Sequence, residues 1–307
     1  MWINIYRHNG LGNSLFARSQ VYAAALEYDE TVIDFGFIKF RNYFPNSACT
    51  ELPIYPLESN GSHKKIPSDV ILNKLSLRLI HFFRPKFTGE FANFWSQYYL
   101  KGDTEKVRLD SKGFIKFKNK YNNIFLNGHK LRCPELVKKH RTKICQYFQF
   151  PNSYMNKWNF LIKNFKNKYS EVIGLHMRRG DFKWAIRGEY FLTPSEYASI
   201  LKNKVEADFK NTLIIIFSED KFLNLEEWED IKSCFSFTNF ILNNGTELDD
   251  LCGLMFCDRI VGPTVSTFSR WSAFAGNKYW AGLGRKTLED SNNLAFKKCP
   301  IPWDYQI

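Results

Sequence analysis

From residue 172 onward, apolar runs return at a steady interval. They cover 172–177, 212–217, 237–242, 259–263 and 279–283, each the length of a buried strand. Between them, segments at 194–207, 221–232, 247–257 and 269–276 read as helices. In the third, Leu248, Leu251, Cys252 and Met255 form an i, i+3, i+4, i+7 stripe. Two of these helices have legible starts. Thr193, Pro194 and Glu196 combine a cap, a first-turn proline and a capping-box acid; Thr246 and Asp249 place a cap before an acidic turn. Strands alternating with helices of this length predict a parallel sheet covered on both faces.

The first half is less regular. Trp2–Tyr6 alternates like a strand, and Asn9-Gly-Leu-Gly-Asn13 follows as a tight turn, with Asn13 or Ser14 as the expected helix cap. Leu15, Ser19, Tyr22 and Leu26 then mark one packed helix face, and Thr31–Phe37 reads as a second strand. A strand, a glycine turn and a helix make an anion site, though the same glycines serve plain helix–sheet packing. Pro45, Pro53, Pro56 and Pro67 punctuate a loop-rich stretch. Helices are predicted at 74–83 and 91–100, the second carrying Phe91, Phe94, Trp95, Tyr98 and Tyr99 as core or as a sugar-stacking wall. Ile124–Leu126 reads as a strand, Pro134–Phe148 as one basic helix and Trp158–Lys168 as a connecting helix. This division predicts two domains, 1–170 and 171–307.

Charge separates the same halves. Residues 1–170 hold 27 Lys+Arg against 12 Asp+Glu, a balance of +15; residues 171–307 hold 16 against 19, or −3. A basic half suits an anionic partner such as acidic headgroups or an acidic glycan, while Lys112–Lys120 reads equally well as a solvated face. No RNA-recognition, zinc-finger or helix-turn-helix pattern accompanies it, so no nucleic acid is expected. The seven cysteines include no Cys-x-x-Cys pair, which favours a reducing compartment without a zinc site or disulfide framework. The opening residues lack a signal-peptide pattern, and no long apolar run offers a membrane span. The expected location is cytoplasmic, with peripheral membrane contact through the basic half left open.

Candidate chemistry sits at His176-Met-Arg-Arg-Gly-Asp181, where the first strand of the regular half ends. Two arginines and an aspartate there are costly unless they meet a charged partner. Ligands bind outside the carboxyl ends of strands in open α/β sheets, and a guanidinium fork matches phosphate oxygens. An Arg–Asp surface ion pair is the competing reading.

Four stretches in order resemble the α-1,2-fucosyltransferase family, within the GDP-fucose-dependent inverting transferases. They are Asn9–Phe16, His176–Phe182, Ile216-Phe-Ser-Glu-Asp220, and Leu251–Met255 leading into Val265-Ser-Thr-Phe-Ser-Arg-Trp-Ser-Ala273. Leu126–Lys130 is a fifth, weaker match. The chain departs from the family pattern at Asn9, Ser14, Val265 and Arg270.

The resemblance implies an α/β, GT-B-like architecture: two Rossmann-like domains facing a central cleft, the C-terminal one holding the GDP-sugar. The last fifteen or so residues, with Trp303 and Tyr305, would pack back on the N-terminal domain. The implied reaction moves fucose from GDP-fucose to a glycan hydroxyl with inversion and an α-1,2 linkage; the alternatives are a transferase using another GDP-hexose and a non-catalytic protein that binds sugar nucleotide or nucleic acid. The implied donor-binding residues are Gly12, Asn13, His176, Arg178, Ser218, Asp250, Ser266, Thr267, Phe268 and Ser269. Arg178 would meet the β-phosphate as the leaving group departs, and Arg179 would pair with an acid to hold the loop. Asp181 is the nearest carboxylate for the catalytic base, with Glu27 and Asp34 as alternatives from the first half. No two aspartates are separated by one residue, so the Asp-x-Asp metal clamp is missing and neither metal nor cofactor is expected.

Overall fold

The computed structural model describes residues 2–4, 10–34, 37, 40, 43–46, 54–55, 107–120, 124–126, 131–180, 188–219, 225–290 and 292–298. The helices expected at 74–83 and 91–100 lie outside the described residues, as do Asp181 and the segment with Trp303 and Tyr305. The chain divides into two compact units, Met1–Pro151 and Asn152–Pro302.

The second unit is built on β7 (Glu171–Met177), β8 (Thr212–Ser218), β9 (Asn239–Asn243), β10 (Arg259–Pro263), β11 (Tyr279–Leu283) and β12 (Lys297–Lys298). Their order in the sheet is β12-β11-β10-β7-β8-β9, parallel except for the edge pair of β11 with β12. This is the doubly wound order, in which the chain runs outward from β7 to β9, returns to the other side of β7 at β10, and continues to β11. β7 and β8 are buried almost throughout, as a sheet covered on both faces requires.

Alternation along β7 assigns the faces. Ile173, Leu175 and Met177 share one core cluster with Tyr197, Ile200 and Leu201 of α6 (Pro194–Lys204) and Ile231 of α7 (Leu225–Cys234). The opposite face meets α8 (Glu247–Phe256): a Cβ on Gly174 would stand 2.9 Å from both Cys257 Sγ and Leu254 Cδ2. α9 (Thr267–Gly276) packs against α8 and follows β10. Both expected helix starts are present. Thr193 and Glu196 close a capping box, and the Asp249 backbone N–H donates to Thr246 Oγ1 at 3.2 Å.

α5 runs from Asn152 to Lys166, six residues ahead of the expected start at Trp158, and belongs to this second unit. The division of the chain therefore falls before this helix rather than after it at 170. The reason is Trp158: its ring lies 5.5 Å from that of Phe217, and its Nε1–H donates to Asp249 Oδ1 at 3.1 Å. Gly253 makes the space, since a Cβ there would stand 2.5 Å from the Trp158 ring.

The first unit has a smaller sheet, β3-β2-β1-β5, of Ile54–Tyr55, Val32–Asp34, Trp2–Asn4 and Ile124–Leu126. β1 pairs in parallel with both β2 and β5. A second, two-stranded sheet pairs β4 (Val107–Arg108) with β6 (Leu131–Arg132). α1 (Leu11–Glu27) is buried along most of its length. Lys112–Lys120, for which a solvated face was one of two readings, is a largely exposed helix (α2) docked through Phe114, whose ring meets Trp2 edge-on at 5.5 Å. The single basic helix expected at 134–148 is two, α3 (Pro134–Lys139) and α4 (Arg141–Tyr147), separated at His140.

Candidate active site

The site is assembled where the strand order reverses, at the carboxyl ends of β7 and β10. Because Leu175 and Met177 face the α6 side, the intervening His176 faces α9. β10 ends at Pro263, and three residues later Ser266 caps α9, its Oγ accepting the Ser269 backbone N–H at 3.3 Å. The same Oγ lies 3.0 Å from His176 Nδ1, so one hydrogen bond ties the two strand ends together. The Phe268 ring packs 5.1 Å from the imidazole. Gly262 permits this approach: a Cβ would stand 2.6 Å from Ser269 Oγ and 3.1 Å from His176 Cβ.

His176 is 7% exposed. Burial, reinforced by the Arg178 guanidinium, pushes its ring down to about 3 from an ordinary 6.5, so it is neutral under physiological conditions. Arg178 and Arg179 follow the strand end, both half-buried.

The hydroxyls of the segment 266–269 divide into two groups. Ser266 is 1% exposed and Ser269 is 0%. Ser266 is occupied by His176 and its cap, while Ser269 Oγ accepts the Trp280 Nε1–H at 3.2 Å. Expected as phosphate donors, both hydroxyls are turned into the protein. Thr267 keeps partial exposure at the first turn of α9, where backbone N–H groups end without helical partners. Arg270, where the family pattern has tryptophan, stacks its guanidinium 4.0 Å over Trp280.

Ser218 ends β8 in register with Met177 and is buried. The exposed Glu219 follows, and a Cβ on Gly180 would meet its Oε1 at 2.5 Å. Asp250, in the first turns of α8, accepts from Asn243 Nδ2 at 2.6 Å. Its neighbour Asp249 binds Lys157 at 2.7 and 2.9 Å as well as Trp158, which makes it a structural anchor. Topology thus brings His176, Arg178, Ser218, Asp250 and the 266–269 turn to one edge of one sheet.

Gly12 and Asn13 belong to the other unit. α1 begins at Leu11 with Gly10 as its cap and no capping side chain, so Asn13 and Ser14 fall inside the helix rather than before it. The alternative bases are committed elsewhere. Asp34 is fully buried with Arg18 Nε at 2.8 Å and Tyr22 as a further donor. Glu27 takes Lys139 at 2.7 and 2.8 Å and His140 at 2.8 Å, and these hydrogen bonds hold its carboxyl below its ordinary value, opposite to what a base near neutrality needs.

Tyr197 was not legible as a site residue. It is fully buried in α6, its hydroxyl lies against the Arg178 backbone with the Arg179 and Glu219 charges nearby, and burial raises its pKa. A phenol in an apolar stripe reads as core, and only the fold shows that its polar end reaches the Arg178 turn. Glu219 lies within the Ile216–Asp220 motif, but nothing in the sequence places it beside Gly180.

Among the described residues there is no group of three or more His, Cys, Asp or Glu placed to hold a metal ion, and no helix long and apolar enough to cross a membrane. A model of glycosyl transferase family 11 matches residues 3–305, and the chain belongs to that family. No curated protein sequence matches it. Among solved structures, it is similar to an Arabidopsis thaliana FUT1 mutant in complex with GDP, at TM-score 0.58 and 12% identity over 97% of this chain and 74% of that one. It is also similar to the NodZ alpha-1,6-fucosyltransferase soaked with GDP-fucose, at TM-score 0.55 and 14% identity over 97% of this chain and 99% of that one. Fucosyltransferase NodZ from Bradyrhizobium gives TM-score 0.53 at 15% identity, over 97% and 99%. The fold is thus the mixed α/β fold of these transferases.

Proposed function

We propose that the chain transfers fucose from GDP-fucose to a glycan hydroxyl, with inversion and an α-1,2 linkage. The observation that carries this reading is the Ser266–His176 bond at the strand-order reversal of a family 11 chain, which ties the α9 turn to the strand end that Arg178 follows. GDP-binding solved structures of the same fold support the nucleotide, and the sequence resemblance supports the linkage. In this reading the units are the two Rossmann-like halves of a GT-B enzyme, and the second holds the donor.

The acceptor oxygen attacks the anomeric carbon, and the bond from that carbon to the β-phosphate oxygen breaks with its electron pair. Negative charge then grows on the diphosphate. Arg178, as the catalytic cation, meets that charge more strongly in the transition state than before it. The backbone N–H groups at the start of α9 and the Thr267 hydroxyl add donors to the phosphates. Asp250 and Ser218 hold the nucleoside. The acceptor proton leaves to a carboxylate, Asp181 being the candidate, and GDP departs. The basic first half offers an anionic glycan or lipid surface a place to rest.

A thermal-shift panel of GDP, GDP-fucose, GDP-mannose and UDP-sugars tests the donor. Stabilisation by GDP and GDP-fucose supports the assignment. A larger shift with GDP-mannose moves it to another GDP-hexose, and stabilisation by UDP-sugars alone removes it.

A further inference from the structure

We infer that Ser266 is a positioning residue: its hydroxyl fixes His176 as the tautomer with hydrogen on Nε2, so that a neutral N–H donor stands beside Arg178 at the donor site. The inference deepens the proposed function and rests on it for the ligand, but not for the tautomer.

A serine hydroxyl has one hydrogen to give and lone pairs to accept with. Ser266 Oγ has two partners in the structure, the Ser269 N–H at 3.3 Å and His176 Nδ1 at 3.0 Å. The first is a donor and takes a lone pair. If Nδ1 also carried hydrogen, it would take another lone pair, and the Ser266 hydrogen would be buried without an acceptor, a loss that folded proteins avoid. If Ser266 donates to Nδ1, all three groups are satisfied. The single ring hydrogen of a neutral imidazole is then on Nε2.

The surroundings hold this arrangement. Ser266 cannot turn away without releasing the cap of α9. The ring cannot turn easily either, with Phe268 at 5.1 Å and the Gly262 backbone behind its Cβ. Among the described residues no hydrogen bond reaches Nε2, so this donor is left for a ligand. It adds a hydrogen bond toward a phosphate or base acceptor without a second full charge next to Arg178. The serine that looks like a phosphate ligand in the sequence therefore acts one atom removed, through the histidine.

Long-range nitrogen–proton NMR of histidine-labelled protein, without nucleotide, reads the tautomer directly, and a His176→Gln sample assigns the signal. The expected result is hydrogen on Nε2 and a bare Nδ1. Hydrogen on Nδ1, or a cationic ring at neutral pH, overturns the inference whether or not GDP binds. With GDP as the probe, Ser266→Ala weakens affinity roughly threefold to tenfold, and Ser266→Thr, which keeps a hydroxyl, restores it. Equal affinity in folded wild type and Ser266→Ala also overturns it. Where the alanine variant fails to fold, the wild-type spectrum decides. A chain with the expected tautomer that binds no GDP fails the proposed function instead.

Discussion

Arg18 Nε and Asp34 Oδ2 lie 2.8 Å apart with neither side chain exposed. The pair joins α1 to β2 beneath the first unit's sheet, and the Arg18 guanidinium also lies 4.6 Å over the Phe37 ring. A buried charge left without its partner is costly. Asp34→Asn is therefore expected to destabilise the protein by about 3–5 kcal/mol, read by chemical denaturation. With its carboxylate held by Arg18 and Tyr22, Asp34 is expected to act on stability alone, so activity per folded molecule should hold. A stable variant with abolished turnover would return Asp34 to the chemistry.

His176 gives the protein an acid-side dependence whose sign is fixed. Its folded value, about 3, lies below its unfolded value of 6.5. Between the two, the unfolded chain binds a proton that the folded chain refuses, so this contribution is complete above 6.5 and is lost as pH falls toward 3. The loss is at most about 1.4 kcal/mol per pH unit. His176→Gln should remove this part of the slope, measured as the wild-type minus variant difference in unfolding free energy at pH 7 and pH 5. Parallel slopes would contradict a buried neutral ring.

Gly180 and Glu219 are too close for a side chain at 180. The obstructing atoms are the end of a flexible carboxylate, so Gly180→Ala should cost under about 1 kcal/mol of stability. It should nevertheless lower turnover by displacing Glu219 at the arginine turn. Kinetics alongside melting curves separate the two, and unchanged turnover would remove Glu219 from the site.

With Arg178 as the cation at the diphosphate, transfer should persist in a chelator. Activity lost in EDTA and restored by magnesium or manganese would contradict that assignment.

The second unit was legible because its central strands, β7 and β8, are buried on both faces and two of its helices, α6 and α8, begin with explicit caps. Thr193 with Glu196 and Thr246 with Asp249 stand where their chemistry put them. The first unit was harder for physical reasons. Lys112–Lys120 buries only Phe114 fully, too little for a periodic stripe, and the backbone turns at His140 within a helical composition. The site was legible as a set of residues but not as a set of directions. Ser266, Thr267 and Ser269 look alike in the sequence, and only the Ser266–His176 and Trp280–Ser269 bonds show which hydroxyls face inward.

The proposed chemistry turns on Arg178 meeting a nucleotide diphosphate at the carboxyl edge of the second sheet. A crystal structure of the chain with GDP decides it. The β-phosphate should lie within about 3 Å of the Arg178 guanidinium, beside the first turn of α9, with Ser266 still bonded to His176. GDP bound elsewhere, with Arg178 held in an ion pair away from it, would overturn the assignment.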